Sequence, residues 1–368
     1  MKKRNPIFDN LRAICMLGVI AIHAGSFVME SATPSEHIFM LFEILSRYSV
    51  PTFFFISGYG LFYSYALDKP LDYLPFLRKR LWSIGVPYVL MSLFYIYVGD
   101  LNYPDPHTWD VDSVLFKLSF GTAIYHIYFL VILMWFYLCF PLWRLLMKLM
   151  EGFSLKLSFT LLALLQIWLY KASAHFWGYP QWIMAQDWLY NLCQYRLNYL
   201  PLFYLFVFML GGAIARHYDK FQNFIEQYPK LITLCFIASA SANAAIFYRY
   251  TYKWEMDLET TVNTLQQLSI PGLIYTLASI FFFSMLINKY PQASSSLFHR
   301  ISERSFLIYL FHPYIMELLY FQLLWHGYPF NTIPMLPFYC AVVLISYLLS
   351  EVIHYIIKKG AVTLRPKL

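Results

Sequence analysis

Charge is scarce in this chain. Asp, Glu, Lys and Arg make up 13% of its 368 residues, against roughly a quarter in soluble domains, so water is not its main solvent. Cysteine is sparse too. Of the five, Cys15, Cys139, Cys235 and Cys340 sit inside apolar runs, and Cys193 falls in an expected loop without a loop partner, so no disulfide framework and no metal set is predicted. The sequence also lacks internal repeats, heptad arrays and low-complexity segments. That excludes solenoids and coiled coils and counts against a transporter built from two recognisable halves.

What is present is apolar: 60% of residues are hydrophobic, 21% are aromatic, and the mean hydropathy is +0.52. A hydrocarbon core of about 30 Å needs around 20 apolar residues per helix. Runs of that kind fall near 7–28, 38–65, 82–99, 125–148, 156–173, 199–216, 231–249, 270–288, 304–325 and 335–357. They predict an all-α integral membrane protein with about ten transmembrane helices in one bundle. Residues 1–368 are then a single domain with no appended soluble domain. Met1 to Arg4 followed by an apolar run imitates a secretory signal, but Asp9 and Arg12 interrupt its start, and the segment reads as a retained first helix.

The net charge of +7 does not point to nucleic acid, because the basic residues lie mainly between apolar runs, where they set orientation. With the N-terminus inside, twenty Lys and Arg fall on the inner side and five on the outer side. This bias predicts cytoplasmic termini and an even number of crossings. The outer segments near 100–124 and 174–198 are rich in Trp, Tyr, Asp and Pro. They read either as an interfacial aromatic belt or as a platform for sugar rings.

Ionisable groups inside a bilayer are costly, so each asks for a partner, a wet cavity or a function. The first helix holds three: Asp9, Arg12 and His23. At about 100° per residue, Arg12 and His23 differ by only about 20° in direction and Asp9 lies within about 60° of Arg12, so one stripe carries all three. The rise of about 16 Å puts Arg12 near the cytoplasmic end and His23 well toward the outer side. A buried imidazole can deprotonate a hydroxyl that attacks a thioester, and Arg12 can neutralise donor phosphates or orient Asp9. The competing reading is structural, with His23 in a helix-to-helix hydrogen bond and Asp9 with Arg12 as a snorkelling pair.

The run Phe8 to Ile14 with His23 eleven residues after Arg12 resembles the opening signature of the acyltransferase-3 family of membrane O-acyltransferases, LDxLRxxA, with Phe8 at the usual Leu. Val50-Pro51-Thr52-Phe53-Phe54-Phe55-Ile56-Ser57-Gly58 is similar to that family's VPxFFxxSG segment. There Ser57 and Gly58 allow close helix approach and add a hydroxyl. Phe76-Leu77-Arg78-Lys79-Arg80-Leu81 followed by Val86-Pro87-Tyr88 is similar to its basic inner loop, with Ser83 where many relatives complete an Arg-x-x-Arg. Tyr125-His126-Ile127-Tyr128-Phe129-Leu130 resembles the H-x-W-F-L start of a later helix, with Tyr128 in place of Trp. Ser305 to Pro313 resembles SFxIYLxHP.

The resemblance implies an enzyme transferring an acyl group, acetyl in the first instance, from cytoplasmic acyl-coenzyme A to a hydroxyl of a cell-envelope glycan or glycolipid, in the cytoplasmic membrane of a bacterium. No permanently bound cofactor and no metal is expected; acetyl-CoA is the donor substrate, and the bilayer and a carbohydrate acceptor are the partners. His23, Arg12 and Asp9 are the expected catalytic set, with His23 as general base or as a nucleophile carrying the acyl group. Arg78, Lys79 and Arg80 suit the coenzyme phosphates or serve as a topology signal, with Ser57 and Gly58 beside the donor. Glu43 and Arg47, four apart, form an intrahelical pair or a polar wall of the cavity. His126 and Tyr128 meet the acceptor or sit at the interface. His312 is expected in the inner half of its helix, with Pro313 freeing a backbone carbonyl. Two other classes stay open: a transporter of a small solute or proton-coupled substrate, and a noncatalytic scaffold for envelope synthesis.

Overall fold

The computed structural model describes residues 5–29, 36–291, 296–328 and 335–363, and every regular element among the described residues is helical. In chain order the helices used below are α1 (Pro6–Met29), α2 (Ser49–Ser64), α3 (Tyr73–Arg80), α4 (Val86–Asn102), α5 (Val111–Phe120), α6 (Tyr128–Leu138), α7 (Phe140–Phe153), α8 (Leu155–His175), α9 (Leu205–Arg216), α10 (Tyr218–Gln227), α11 (Pro229–Tyr248), α12 (Ile270–Lys289), α13 (Ser296–Trp325) and α14 (Met335–Thr363). Helices dominate because, in hydrocarbon, backbone N–H and C=O groups must be satisfied within the segment itself. Several starts follow from local chemistry. Ser269 Oγ accepts from the Gly272 N–H at 3.1 Å ahead of α12, which carries Pro271 in its first turn, and Pro229 opens α11, a position where the missing proline N–H costs nothing.

Eight spans among the described residues are long and apolar enough to cross a membrane: Pro6–Gly25, His37–Ser64, Tyr73–Asn102, Leu155–His175, Pro229–Lys253, Ile270–Lys289, Ser296–Trp325 and Met335–Lys359. A ninth is broken, because α6 and α7 meet at 64° around Cys139. Pro141 lies in the first turn of α7, where its ring and missing N–H prevent one helix from running through. The run expected at 199–216 is shorter: a 3₁₀ turn over Pro201–Tyr204 feeds α9, and the apolar helix Pro201–Arg216 stops short of a full crossing. The chain is a multi-pass membrane protein.

Two compact units divide the chain, one of Met1–Ile56 with His217–Leu368 and the other of Ser57–Arg216. In the first unit α1 packs against α12, α13 and α14, and α11 packs along α12. Leu11, Ala13, Cys15, Met16 and Ala24 of α1 are fully buried, so the first helix is an interior element. In the second unit α6 packs on the segment Arg196–Tyr199, and α8 packs on α7 and α9. A Cβ at Gly58 would collide with the Phe208 carbonyl oxygen, so glycine is what lets α2 lie against α9. Gly121 ends α5 at φ +63°, a left-handed conformation open to glycine at no steric cost.

Candidate functional site

The sequence stripe on α1 is a physical pair plus a distant ring. Arg12 Nη1 donates to Asp9 Oδ1 at 3.4 Å; the Asp9 side chain is 13% exposed and that of Arg12 34%. The Arg12 side chain is thus the more exposed member of the pair. His23 lies eleven residues further along α1 and is half-buried.

Glycines on α1 decide what reaches His23. A Cβ at Gly25 would sit 3.3 Å from the Glu43 Cβ and 3.4 Å from its Oε2. A Cβ at Gly18 would overlap the Ser49 hydroxyl. With no side chain at either place, the segment from Glu43 to Ser49 lies directly on α1, and Glu43 comes two residues from His23 along the helix.

That segment is irregular. Residues Met40–Ile44 form a π-helical turn, residues 45–48 are a turn, and α2 begins at Ser49. Irregular backbone at membrane depth persists only where protein or a cavity satisfies it, and here the protein does so. The Tyr275 hydroxyl donates to the Leu45 carbonyl at 3.0 Å, and Thr52 Oγ1 donates to the Tyr48 carbonyl at 2.7 Å. The break presents a buried ion pair: Arg47 Nη2 donates to Glu43 Oε1, and Arg47 Nη1 donates to Gln267 Oε1 at 3.4 Å. The Glu43 side chain is 1% exposed. Such a pair persists in low dielectric only when further hydrogen bonds support it, and Gln267 is one of those supports.

His312 joins this group from α13. Its ring centroid is 5.3 Å from that of His23, with 30° between the planes. His312 Nδ1 lies 2.9 Å from the Tyr309 carbonyl oxygen and 3.1 Å from that of Ile308, so Nδ1 donates and Nε2 is left with its lone pair. Pro313 explains the geometry. It has no N–H for the Tyr309 carbonyl four residues back, and the imidazole takes the place of the missing donor. α13 begins at Ser296 rather than near 304, so His312 sits near the middle of that helix, beside His23.

The second unit holds the other predicted residues. The basic run divides by exposure. Arg80 stacks over the rings of Tyr137 and Phe76 at 5.1 and 5.6 Å, whereas Arg78 and Lys79 are exposed and line, with Leu74, Pro75 and Trp82, an open recess of about 430 Å³. His126 is buried between Tyr95 and Tyr125, with centroids at 5.8 and 5.7 Å. Tyr128 opens α6 and is half-buried, packed against Gly121. Ser57 precedes Gly58 at the close approach of α2 to α9.

Gln267 and Tyr275 were not visible as site-supporting residues in the sequence. Gln267 is 220 residues from Arg47, in a stretch that reads as an ordinary polar loop. Tyr275 is one of 32 tyrosines. No local signal separates either from its neighbours.

With this geometry in hand, comparisons with known proteins are specific. The sequence model described as an acyltransferase domain matches residues 5–353. The probable poly-beta-1,6-N-acetyl-D-glucosamine export protein of Staphylococcus epidermidis is 24% identical over 332 residues, covering 87% of this chain and 83% of that protein. The protein of the same name in Staphylococcus aureus (strain N315) is 25% identical over 264 residues, covering 67% of this chain, and the chain spans only 63% of its length. No solved structure matches. The domain match over nearly the whole length, together with the motifs on α1, α2 and α13, places the chain in the acyltransferase-3 family.

Proposed function

We propose that this protein transfers an acyl group, in the first instance acetyl, from cytoplasmic acyl-coenzyme A to a hydroxyl of a cell-envelope glycan or glycolipid, at a bacterial cytoplasmic membrane with both termini inside. The reading rests above all on the meeting of His23 and His312 beside the Glu43–Arg47 pair, in a chain of this family. Two imidazoles next to a polar pair provide a proton acceptor where a hydroxyl must lose its proton.

In the preferred mechanism His23 accepts the proton of the acceptor hydroxyl as its oxygen attacks the thioester carbonyl carbon. The thiolate leaves and takes that proton back from His23. Asp9 and Arg12 set the polarity of the α1 stripe. His312, held by two carbonyls, offers Nε2 toward the reacting groups. In the second unit Arg78, Lys79 and Arg80 are assigned to the donor phosphates, with Ser57 and Gly58 beside the donor. His126 and Tyr128 of that unit are assigned to the acceptor; in the first unit Glu43 and Arg47 are assigned to the substrate groups that meet His23.

The test compares envelope glycan from cells with wild-type protein, with His23→Ala and with none. Mass spectrometry should find an alkali-labile increment of one acyl group only with the wild type. Persistence of that increment in His23→Ala cells would remove the catalytic role of His23. Export is the second reading, favoured by the staphylococcal relatives being named export proteins. It predicts that glycan accumulates inside cells lacking the protein while its acylation state is unchanged.

A further inference from the structure

Resting on the acyl-transfer reading, we propose that Arg47 supplies, through its Nε–H, the hydrogen bond that receives negative charge on the acyl carbonyl oxygen, and that Glu43 and Gln267 are positioning residues fixing its guanidinium for that task.

A guanidinium has five N–H donors in one rigid plane. Glu43 takes one through Nη2 and Gln267 takes another through Nη1, so the plane is held from two sides. Nε lies between the stem and those contacts. It is shielded from solvent and has no acceptor among the described residues. A buried donor without an acceptor is costly in a folded protein, and such groups in native structures call for an explanation.

Placement supplies one. Arg47 lies in the turn that interrupts the span His37–Ser64, directly after a π-helical segment. Interruptions of that kind concentrate at functional sites in membrane helices. Its partner Glu43 lies on α1 at Gly25, two residues from His23, and the His312 ring lies beside that of His23. A fixed cationic N–H beside a proton acceptor is what acyl transfer requires. When the hydroxyl oxygen bonds to the carbonyl carbon, the π pair moves onto the carbonyl oxygen while His23 takes the proton. That oxygen then carries the charge until the C–S bond breaks. A donor already in place stabilises it without reorganisation. The Glu43 carboxylate offsets the Arg47 charge in the resting site, and glycine at 25 leaves the room in which Glu43 lies against α1.

The experiment uses the full-length protein in lipid nanodiscs, with acetyl-coenzyme A as donor and envelope glycan from cells lacking the protein as acceptor; thiol release reports turnover. Wild-type turnover that His23→Ala abolishes supports the acyl-transfer reading. Absence of wild-type turnover defeats that reading, and this proposal falls with it. Given wild-type turnover, Arg47→Gln should lower kcat by about 10²–10³-fold while the KM for acetyl-coenzyme A moves less than threefold. Gln267→Leu should lower kcat by about tenfold. Added guanidinium ion should restore part of the rate to Arg47→Ala but none to His23→Ala, a rescue that a purely structural role does not give. Where Arg47→Gln is not recovered folded, Arg47→Lys carries the test, since it keeps the pair with Glu43 but has no Nε–H fork. A kcat within threefold of wild type in these variants, or a loss confined to KM, overturns the assignment.

Discussion

His312 donates through Nδ1 to the carbonyl of Tyr309 at 2.9 Å, the oxygen that Pro313 leaves without its helical donor. A helix defect and a ring orientation are therefore one feature. Proline at 313 forces the carbonyl to find another partner, and that partner is the imidazole facing His23.

Replacing Pro313 separates the two effects. Pro313→Ala restores an amide N–H to the helix and is expected to stabilise the fold by up to about 3 kcal/mol. It also gives the Tyr309 carbonyl a competing donor, freeing His312 to rotate. Thermal unfolding should rise while glycan acylation falls about tenfold. A rise in both would show that the ring orientation is irrelevant.

The two histidines should not be equivalent. His23→Ala is expected to remove general-base catalysis, a loss of about 10²–10⁴ in rate. His312→Ala should cost less, because it removes a neighbour of the base rather than the base. Acyl transfer to glycan, followed by mass spectrometry in the two variants side by side, checks the order. A larger loss at His312 would reverse their roles.

Much of this was readable beforehand, and the exceptions have physical causes. The Asp9–Arg12 pair follows from three-residue spacing on a helix, and most spans follow from the length of the apolar runs. The break between α6 and α7 was missed because Cys139, Phe140 and Pro141 are all compatible with an apolar run; only the backbone requirement of Pro141 distinguishes them. The run 78–80 reads as one basic patch, yet Arg80 turns onto Phe76 and Tyr137 while its two neighbours stay exposed. That division depends in part on Tyr137, contributed by α6 from elsewhere in the fold. The pairing of His23 with His312, and of Arg47 with Gln267, joins residues hundreds of positions apart. Periodicity within one helix carries no information about such contacts.

Gly58 should tolerate no side chain. Its neighbour is the Phe208 carbonyl of a packed helix rather than a flexible side chain, so Gly58→Ala should destabilise by about 1–3 kcal/mol through forced separation of α2 and α9. Thermal unfolding of the purified protein measures this. An unchanged midpoint would mean that the contact yields easily.

Arg196 organises the 174–198 segment of the second unit. It donates to Ser173 Oγ at 3.0 Å, to the Ser173 carbonyl at 2.8 Å, to the Tyr179 hydroxyl at 2.9 Å and to the Cys193 carbonyl at 2.7 Å, and it stacks over Trp177 at 4.2 Å. Arg196→Ala should cost about 3 kcal/mol or more, and Arg196→Lys should recover little, since an ammonium cannot reproduce the planar fork. Limited proteolysis within residues 174–195 should accelerate in both variants. Equal protection of wild type and Arg196→Lys would contradict the fork requirement.

At Gly18 and Gly25 α1 offers bare backbone, against which the Ser49 hydroxyl and the Glu43 side chain sit, so any side chain added to α1 at either place would push the Glu43–Arg47 turn away from the His23 helix. The chain can therefore widen this seam only by moving a helix, not by changing a residue of α1 at these two positions.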